Sequence, residues 1–153
     1  TGNIHRPKPE DILFLPQNPY MILGSLRQQL LYPYLHQQIS DRELTEALNI
    51  VNLSKIAAKY QDLDTIEDWS KLLSIGEQQR LAFARLLLTK PNYAILDEAT
   101  SALDETNESQ LYEQLQQTDI AYISVGHNPQ LKKYHQKVLE IKNQQDWSLY
   151  PSK

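Results

Sequence analysis

Cysteine is absent from the 153 residues of this chain, and glycine occurs at only four positions. Without cysteine there are no disulfide bonds and no thiolate metal sites, a composition that fits a reducing compartment. Long apolar runs are missing as well, since none approaches the roughly 18 residues that a membrane-spanning helix requires. We therefore expect any association of this chain with a membrane to be peripheral.

An excess of positive charge is also missing. The chain carries 15 lysines and arginines against 19 acidic residues, which gives a formal net charge of −4. Nucleic-acid-binding domains usually display a basic face, so we expect no nucleic-acid partner. Hydrophobic residues nevertheless make up 41% of the sequence. That is enough for one core, and the length predicts one domain or part of one.

None of the glycines is followed by lysine, so the chain contains no phosphate loop of the form Gly-x-x-x-x-Gly-Lys-Ser/Thr. In proteins that have this loop, its backbone amides and its lysine hold the phosphates of a nucleotide. The absence excludes a complete phosphate-loop site within these residues.

The hydrophobic pattern predicts an α/β fold. Five apolar runs predict strands, at 11–15, 93–96, 120–125, 137–141 and 146–150. Helices are predicted at 26–31, 53–60, 74–89 and 105–117, and another begins at a capping box in 40–43. Continuous rather than alternating apolar strands are typical of a mainly parallel sheet. The helix-rich stretch 40–72, with an acidic linker at 62–68, is interpreted as an inserted lobe.

Two adjacent carboxylates, Asp97 and Glu98, follow the strand predicted at 93–96. Parallel sheets place their ligands at the carboxyl ends of the strands, and a magnesium–nucleotide site needs a hard oxygen ligand there. The alternative interpretation is a pair of acids in an ordinary surface turn. The pair alone leaves both interpretations open.

The helix predicted at 74–89 begins with Ser74, and Glu77 follows three residues later. Its first amides form a positive, hydrogen-bond-donating end that suits an anion such as a γ-phosphate. The alternative is an ordinary capping box made by the same two side chains. Both interpretations can hold for the same residues.

A family resemblance rests on the order of these segments. Residues 73–80 and 96–104 closely resemble the signature, Walker B and D-loop motifs of ATP-binding cassette (ABC) ATPases. Gln17, within 15–20, is similar to the Q-loop glutamine of that family, and His127, within 124–127, to its switch histidine. The five motifs occur in the family order, and the resemblance covers essentially the whole chain.

Finer features resemble one branch of the family. Residues 19–33, 132–135 and 146–149 are similar to the peroxisomal fatty-acyl transporters of subfamily D. They also resemble the bacterial relatives of that subfamily, which are fused permease–ATPase half-transporters that include peptide and cobalamin uptake proteins.

The resemblance implies a catalytic role for three residues. Glu98 would act as general base, His127 would contact the γ-phosphate, and Gln17 would sense Mg²⁺ and the attacking water beside the surface that docks the membrane domain. Asp97 would hold Mg²⁺, with Gln17 as a further ligand. The implied cofactors are therefore ATP and Mg²⁺.

The resemblance also implies contacts across a dimer. Ser74, Gly76 and Glu77 would close over ATP held by the opposite subunit, and Ser101 and Asp104 of the D-loop would reach across the interface. Arg80 and Arg85 of the signature helix are expected to make structural contacts. The other three histidines, His5, His36 and His135, are expected at the surface.

Two departures from the family pattern stand out. Ile75 replaces the usual second glycine of the signature, and a β-branched residue removes backbone freedom there. The N-terminal portion of the family domain, with its adenine-stacking aromatic and its Walker A loop, is not represented in the chain. We therefore predict that the chain alone is inactive and binds nucleotide weakly or not at all.

The resemblance identifies the chain as the C-terminal part of an ABC nucleotide-binding domain. The expected fold is a partial P-loop NTPase (RecA-like) core with an inserted helical signature subdomain. Residues 1–35 would hold the Q-loop strand, 36–90 the helical signature lobe, and 91–153 the Walker B, D-loop and switch-histidine core. The expected partners are a transmembrane permease domain and a second nucleotide-binding domain, at the cytoplasmic face of the cell membrane, although the chain itself is expected to be soluble.

Two alternatives remain open. One is a soluble ABC ATPase that acts in DNA repair or translation. The other is a naturally truncated module that partners an intact cassette. The coding sequence upstream of this chain would separate them, because several apolar spans and a Walker A loop favour a transporter.

Overall fold

The computed structural model describes residues 2–142 and 146–152. Its strands are β1 (Ile12–Leu15), β2 (Gly24–Ser25), β3 (Ile66–Glu67), β4 (Tyr93–Asp97), β5 (Ala121–Val125), β6 (Lys137–Ile141) and β7 (Trp147–Pro151). Its α-helices are α1 (Leu26–Leu31), α2 (Asp41–Ile50), α3 (Ser54–Lys59), α4 (Trp69–Leu72), α5 (Ile75–Thr89) and α6 (Glu105–Gln116). Short 3-10 helices span Pro9–Asp11 and Pro129–Tyr134. Within the described part, no helix is long and apolar enough to cross a membrane.

A parallel sheet with the strand order β1-β4-β5 forms the centre of the fold. Both strand pairs are parallel, and Leu15 lies opposite Leu96, while Asp97 lies opposite Val125. The carboxyl ends of all three strands therefore meet at one edge. The predicted α/β fold with a mainly parallel sheet is confirmed.

Only one face of this sheet is buried. Leu13, Leu15, Ala94 and Leu96 point into the core, where β1 contacts α5 and α5 contacts α6. The opposite face carries exposed apolar side chains, among them Ile123, which is 66% exposed. Parallel sheets are usually covered on both faces, so the second face is an uncovered apolar surface. We refer to Phe14, Ile123 and Val125 as the open face.

Helix α5 is the central element of the fold. Ser74 caps its first turn, and the helix ends at Lys90, which adopts a left-handed conformation with φ 45° just before Pro91. Leu81 and Phe83 are fully buried, and helices α1 and α2 pack against the same helix. The predicted helix at 74–89 is confirmed.

The helical lobe is held together by local caps and by one buried tryptophan. Ser40 and Glu43 form the predicted capping box, which begins α2. The Trp69 side chain is 1% exposed, and its Nε1 donates a hydrogen bond to the Gly24 carbonyl at 2.9 Å.

The prediction of an acidic linker at 62–68 is wrong in part. Strand β3 lies within it and pairs antiparallel with β2, so that Gly24 is opposite Glu67 and Ser25 is opposite Ile66. A two-residue strand is too short to show the alternating pattern by which a strand is recognised in sequence. Its pairing depends on a partner about 40 residues away. Helix α4, only four residues long, was missed for the same reason.

The two strands predicted near the end of the chain form an antiparallel hairpin, β6–β7. Between β5 and this hairpin, the 3-10 helix Pro129–Tyr134 packs against α6. The Tyr112 ring stacks on the Tyr134 ring with their centroids 5.2 Å apart.

Candidate functional site

The two adjacent carboxylates lie where the sheet ends. Asp97 is the last residue of β4 and is half-buried. Glu98 follows with φ 48°, and its amide donates to the Val125 carbonyl at 2.9 Å. For a residue with a side chain this left-handed conformation costs about 1–3 kcal/mol, and it persists only where the surrounding structure enforces it. The bond to β5 fixes Glu98 in that conformation at the carboxyl edge.

His127 contacts Glu98 at this edge. Its Nε2 lies 3.1 Å from Glu98 Oε1, and the two side chains are 91% and 29% exposed. A neutral imidazole protonated at Nε2 donates a hydrogen bond in this geometry, and an imidazolium makes an ion pair. The histidine ring is therefore open to solvent on its other sides.

Gln17 reaches the same edge from the end of β1. Its Nε2 donates to Ser101 Oγ at 3.3 Å, and the Ser101 amide donates to the Glu98 carbonyl at 3.0 Å. The structure thus brings Gln17, Glu98, Ser101 and His127 together beside Asp97, although they are spread over more than 100 residues of sequence.

The signature residues form the capping box that the sequence allowed. Glu77 Oε2 accepts hydrogen bonds from the Ser74 amide and the Ser74 hydroxyl, both at 2.9 Å, and Ser74 Oγ accepts from the Glu77 amide at 3.3 Å. Ile75, in place of the usual glycine, is 44% exposed. Its branched side chain therefore meets water instead of the core.

Gly76 is where α5 approaches the D-loop, which we define as residues 101–104. A Cβ atom built on Gly76 would lie 3.0 Å from the Ala102 carbonyl oxygen and 3.4 Å from Leu103 Cδ2. The first of these distances is shorter than ordinary van der Waals contact. Glycine is needed at this position for close backbone approach rather than for a special φ.

Asp104 ends the D-loop and caps α6. Its carboxylate accepts from the backbone amide of Asn107 at 2.8 Å and from the Asn107 side chain at 2.9 Å. These hydrogen bonds, the backbone one first, hold the pKa of Asp104 below its ordinary value. The cap fixes where the D-loop ends and the helix begins.

Gln79 has a role at this edge that the sequence pattern does not predict. This side chain is fully buried, and its Nε2 donates to the Gln17 carbonyl at 2.8 Å and lies 3.3 Å from Ser101 Oγ. Its Oε1 accepts from the Ala102 amide at 3.0 Å. One signal was available in the sequence, because a glutamine three and four residues before Ala82 and Phe83 lies on the buried stripe of α5.

Glu108 was missed as well. It is buried on α6 and accepts a hydrogen bond from Thr100 Oγ1 at 2.6 Å. Its other carboxylate oxygen accepts from Asn128 Nδ2. The residue therefore joins the segment after Glu98 to the segment after His127.

The two arginines of α5 differ. Arg85 donates hydrogen bonds to the carbonyls of Gln29 at 2.6 Å and Tyr20 at 2.9 Å, which are structural contacts of the expected kind. Burial lowers the pKa of Arg85 to about 10. For Arg80, by contrast, the buried Nε atom has no hydrogen-bond partner within the described part of the chain.

The expectation that His135 lies at the surface is wrong. Its ring is half-buried, with Nδ1 2.8 Å from the Leu131 carbonyl and Nε2 2.9 Å from Ser124 Oγ, which also accepts from Tyr112. The tyrosine cluster around it supplies the burial that a single sequence does not reveal. Burial also raises the pKa of Tyr112 to about 12. The other two histidines, His5 and His36, are exposed as expected.

A complete metal site is not formed by protein side chains alone. Among residues 2–142 and 146–152, no three histidine, aspartate or glutamate side chains gather to hold an ion. The Asp97 carboxylate and the Gln17 side-chain oxygen are hard donors at one edge of the sheet. Such a pair suits Mg²⁺, which typically takes one or two protein oxygens and completes its shell with water and substrate phosphates.

Comparison with known proteins gives a consistent result. The family described as "ABC transporter" matches residues 3–101. An uncharacterized ABC transporter ATP-binding protein of Synechocystis sp. is 51% identical over 150 residues, which is 98% of this chain and 23% of that protein. ABC transporter D family member 2, chloroplastic, of Arabidopsis thaliana is 45% identical over 91% of this chain and 24% of its own length.

One further relative and one solved structure are also similar to this chain. The lysosomal cobalamin transporter ABCD4 of Mus musculus is 43% identical over 92% of this chain and 24% of its own length. The solved structure of a bacterial Atm1-family ABC exporter with ATP bound superposes with a TM-score of 0.72 at 25% identity, over 85% of this chain and 23% of that one. The chain thus spans about a quarter of the length of the relatives it matches.

Proposed function

Because this chain belongs to the ABC transporter family, we propose that it supplies the Walker B, D-loop, signature and switch-histidine parts of an ATPase within a longer transporter. Members of the family bind ATP and Mg²⁺. The observation that carries the proposal is the carboxyl edge of the sheet, where Glu98 contacts His127 and is joined through Ser101 to Gln17. These groups suit the removal of a proton from water beside a phosphoryl group.

Each residue at the edge has a distinct role in this proposal. Bound Mg²⁺ and ATP would supply the phosphoryl centre and the positive charge that offsets its oxygens. Asp97 and Gln17 would hold the ion, and Glu98 would accept the proton of the attacking water. His127, with Nε2 3.1 Å from Glu98 Oε1, orients that carboxylate. A contact with the phosphate would fall to its other ring nitrogen, Nδ1, which is a donor when the ring is doubly protonated.

The signature residues act on a second subunit in the same proposal. Ser74 is exposed at the N-terminus of α5, and the amides of Gly76 and Glu77 belong to the same first turn. A helix of 15 residues attracts anions at this end. Ser74, Gly76 and Glu77 therefore close over ATP held by the partner domain, and Ser101 and Asp104 reach across the interface.

The proposed organisation follows from these roles. Residues 1–35 contribute the Q-loop strand, 36–90 the helical signature lobe, and 91–153 the core with the catalytic edge. The domain works as a homodimer on the cytoplasmic face of a membrane, docked to a permease domain. The resemblance of residues 19–33, 132–135 and 146–149 to subfamily D and its bacterial relatives favours a transporter for a hydrophobic or peptide-like solute.

The chain alone is a different case. It has no Gly-Lys phosphate loop, and in this family fold the loop contributes most of the contacts to the phosphates. We therefore propose that the isolated chain neither hydrolyses ATP nor binds it appreciably.

The test is Glu98→Gln in the full-length transporter. A carboxamide keeps the size of the side chain but cannot accept the proton, and a general base typically contributes about 10²–10⁴-fold. We expect ATP binding to persist while hydrolysis falls at least about 100-fold, as measured by nucleotide binding and phosphate release. Glu113→Gln, at an exposed position of α6, is the matched control and should leave both unchanged. Undiminished hydrolysis in Glu98→Gln would refute the assignment.

A further inference from the structure

Two neighbouring glutamines of α5 are buried, and they differ in what they hold. Gln78 is 6% exposed, and its Nε2 donates to the Leu73 carbonyl at 2.9 Å and to the Ser70 carbonyl at 3.2 Å. Those bonds stay within the helical lobe. Gln79 is 0% exposed, and its hydrogen bonds reach outside the lobe to Gln17 and Ala102, in the two loops at the carboxyl edge of the sheet.

The surroundings of Gln79 fix the orientation of its carboxamide. Oε1 faces the Ala102 amide, which can only donate, and Nε2 faces the Gln17 carbonyl, which can only accept. A flipped carboxamide would set two donors against each other at one end and two acceptors at the other. The side chain therefore links the two loops in one arrangement only.

The direct contact between the loops is weaker than this link. Gln17 Nε2 reaches Ser101 Oγ at 3.3 Å, and both side chains are exposed. Water competes for such a bond, whereas a buried hydrogen bond that is broken leaves an unsatisfied polar group inside the protein. Gln79 thus joins the segment around Gln17, which we call the Q-loop (residues 15–20), to the D-loop through a fully buried side chain, whereas the direct contact between the two loops is exposed.

We propose that Gln79 is a positioning residue, which holds the backbone of Gln17 and the D-loop at Ala102 in fixed register on the signature helix. A shift of α5 is thereby passed to both loops at once. The inference rests on the proposed function, in which Gln17 holds the metal and Ser101 reaches across the dimer. Gln79 is fully buried, so its side chain would not contact nucleotide or metal directly.

The first test is hydrogen exchange in the nucleotide-free full-length protein. Gln79→Met keeps the length of the side chain and removes all of its hydrogen bonds. We expect the Ala102 amide to exchange about 10-fold faster or more, because its acceptor is lost, with loosened protection around residues 17–20. Gln78→Met is the matched control, and its D-loop should exchange as in the wild type. Unchanged exchange in Gln79→Met, or equal acceleration in both variants, overturns the proposal.

The second test is kinetic and separates positioning from general destabilisation. In Gln79→Met we expect kcat for ATP hydrolysis to fall about 10-fold, since small displacements of catalytic groups are costly, while KM for Mg-ATP changes less than about threefold. Gln78→Met should lower the melting midpoint and leave kcat within about twofold. Equal losses of kcat in the two variants overturn the proposal.

A double-mutant cycle with Ser101→Ala completes the design. If Gln79 acts through the loops, the kcat effect of Ser101→Ala should shrink in the Gln79→Met background, because coupled residues are not additive. Additive effects contradict the inference. A wild-type protein without ATPase activity would refute the proposed function instead, and hydrogen exchange would still decide whether Gln79 holds the two loops.

Discussion

At the scale of single residues, the conformations of Gly76 and Glu98 depend on contacts that composition alone does not reveal. Gly76 is required because the backbone of the D-loop passes within reach of a would-be Cβ atom. Glu98 is held in a left-handed conformation by one backbone bond to β5. In both cases the local geometry is set by a segment that is distant in sequence.

Gly76→Ala tests the close approach of α5 to the D-loop. The added methyl would lie 3.0 Å from the Ala102 carbonyl oxygen, and such overpacking typically costs about 1–3 kcal/mol. We expect a lower melting midpoint and slower ATP hydrolysis in the full-length protein. Ile75→Ala changes a half-exposed neighbour and should affect stability little. Equal melting midpoints for the two variants would speak against the crowding.

At the scale of elements, α6 connects two segments at the carboxyl edge of the parallel sheet. Glu108 accepts from Thr100, which follows Glu98 by two residues, and from Asn128, which follows His127 directly. The helix therefore braces both segments that present the proposed base and the proposed switch histidine. Its N-terminus is fixed in turn by the Asp104 cap.

Glu108→Leu removes this brace. The hydroxyl of Thr100, a residue that is 4% exposed, would lose its acceptor, and an unsatisfied buried group costs about 1–3 kcal/mol. We expect the full-length protein to melt at a lower temperature and to hydrolyse ATP more slowly. Glu113→Leu, at an exposed position of the same helix, serves as the control. A melting midpoint for Glu108→Leu equal to that of Glu113→Leu would contradict the bracing role.

The elements differ in how well they could be predicted from the sequence. The capping box at Ser40 was predicted, and the one at Ser74 was one of two interpretations, because all of their atoms lie within four residues. The strand β3 was missed because two residues are too few to show the alternation of apolar and polar residues that indicates a strand. Gln79 and Glu108 were missed because their partners lie as far as 62 and 20 residues away. Local chemistry was therefore predictable from one sequence, whereas long-range hydrogen bonds between motifs were not.

At the scale of the whole molecule, the chain contributes one side of the proposed nucleotide site. The carboxyl edge offers carboxylates, a histidine and a glutamine, all suited to a metal, a water and a phosphate oxygen. The residues that would surround the phosphates with backbone amides and a lysine are not among the 153. About a quarter of the length of its relatives is represented.

The isolated chain is therefore expected to show no appreciable affinity for Mg-ATP. Isothermal titration calorimetry should give no measurable heat of binding at micromolar concentrations, because the phosphate-binding loop supplies most of the contacts. The full-length protein, titrated under the same conditions, is the positive control. A micromolar dissociation constant for the chain alone would contradict the prediction.

The open face of the parallel sheet has a consequence for how the energetics of this chain are measured. Phe14, Ile123 and Val125 remain in contact with water, and apolar area contributes hydrophobic free energy only when it leaves water. These side chains are 53%, 66% and 52% exposed, so unfolding experiments on the chain alone would report only part of the hydrophobic free energy that they can contribute. Once another layer of protein covers them, the same residues would belong to the core. Substitutions that change the free energy of unfolding little in the chain alone would then be destabilising.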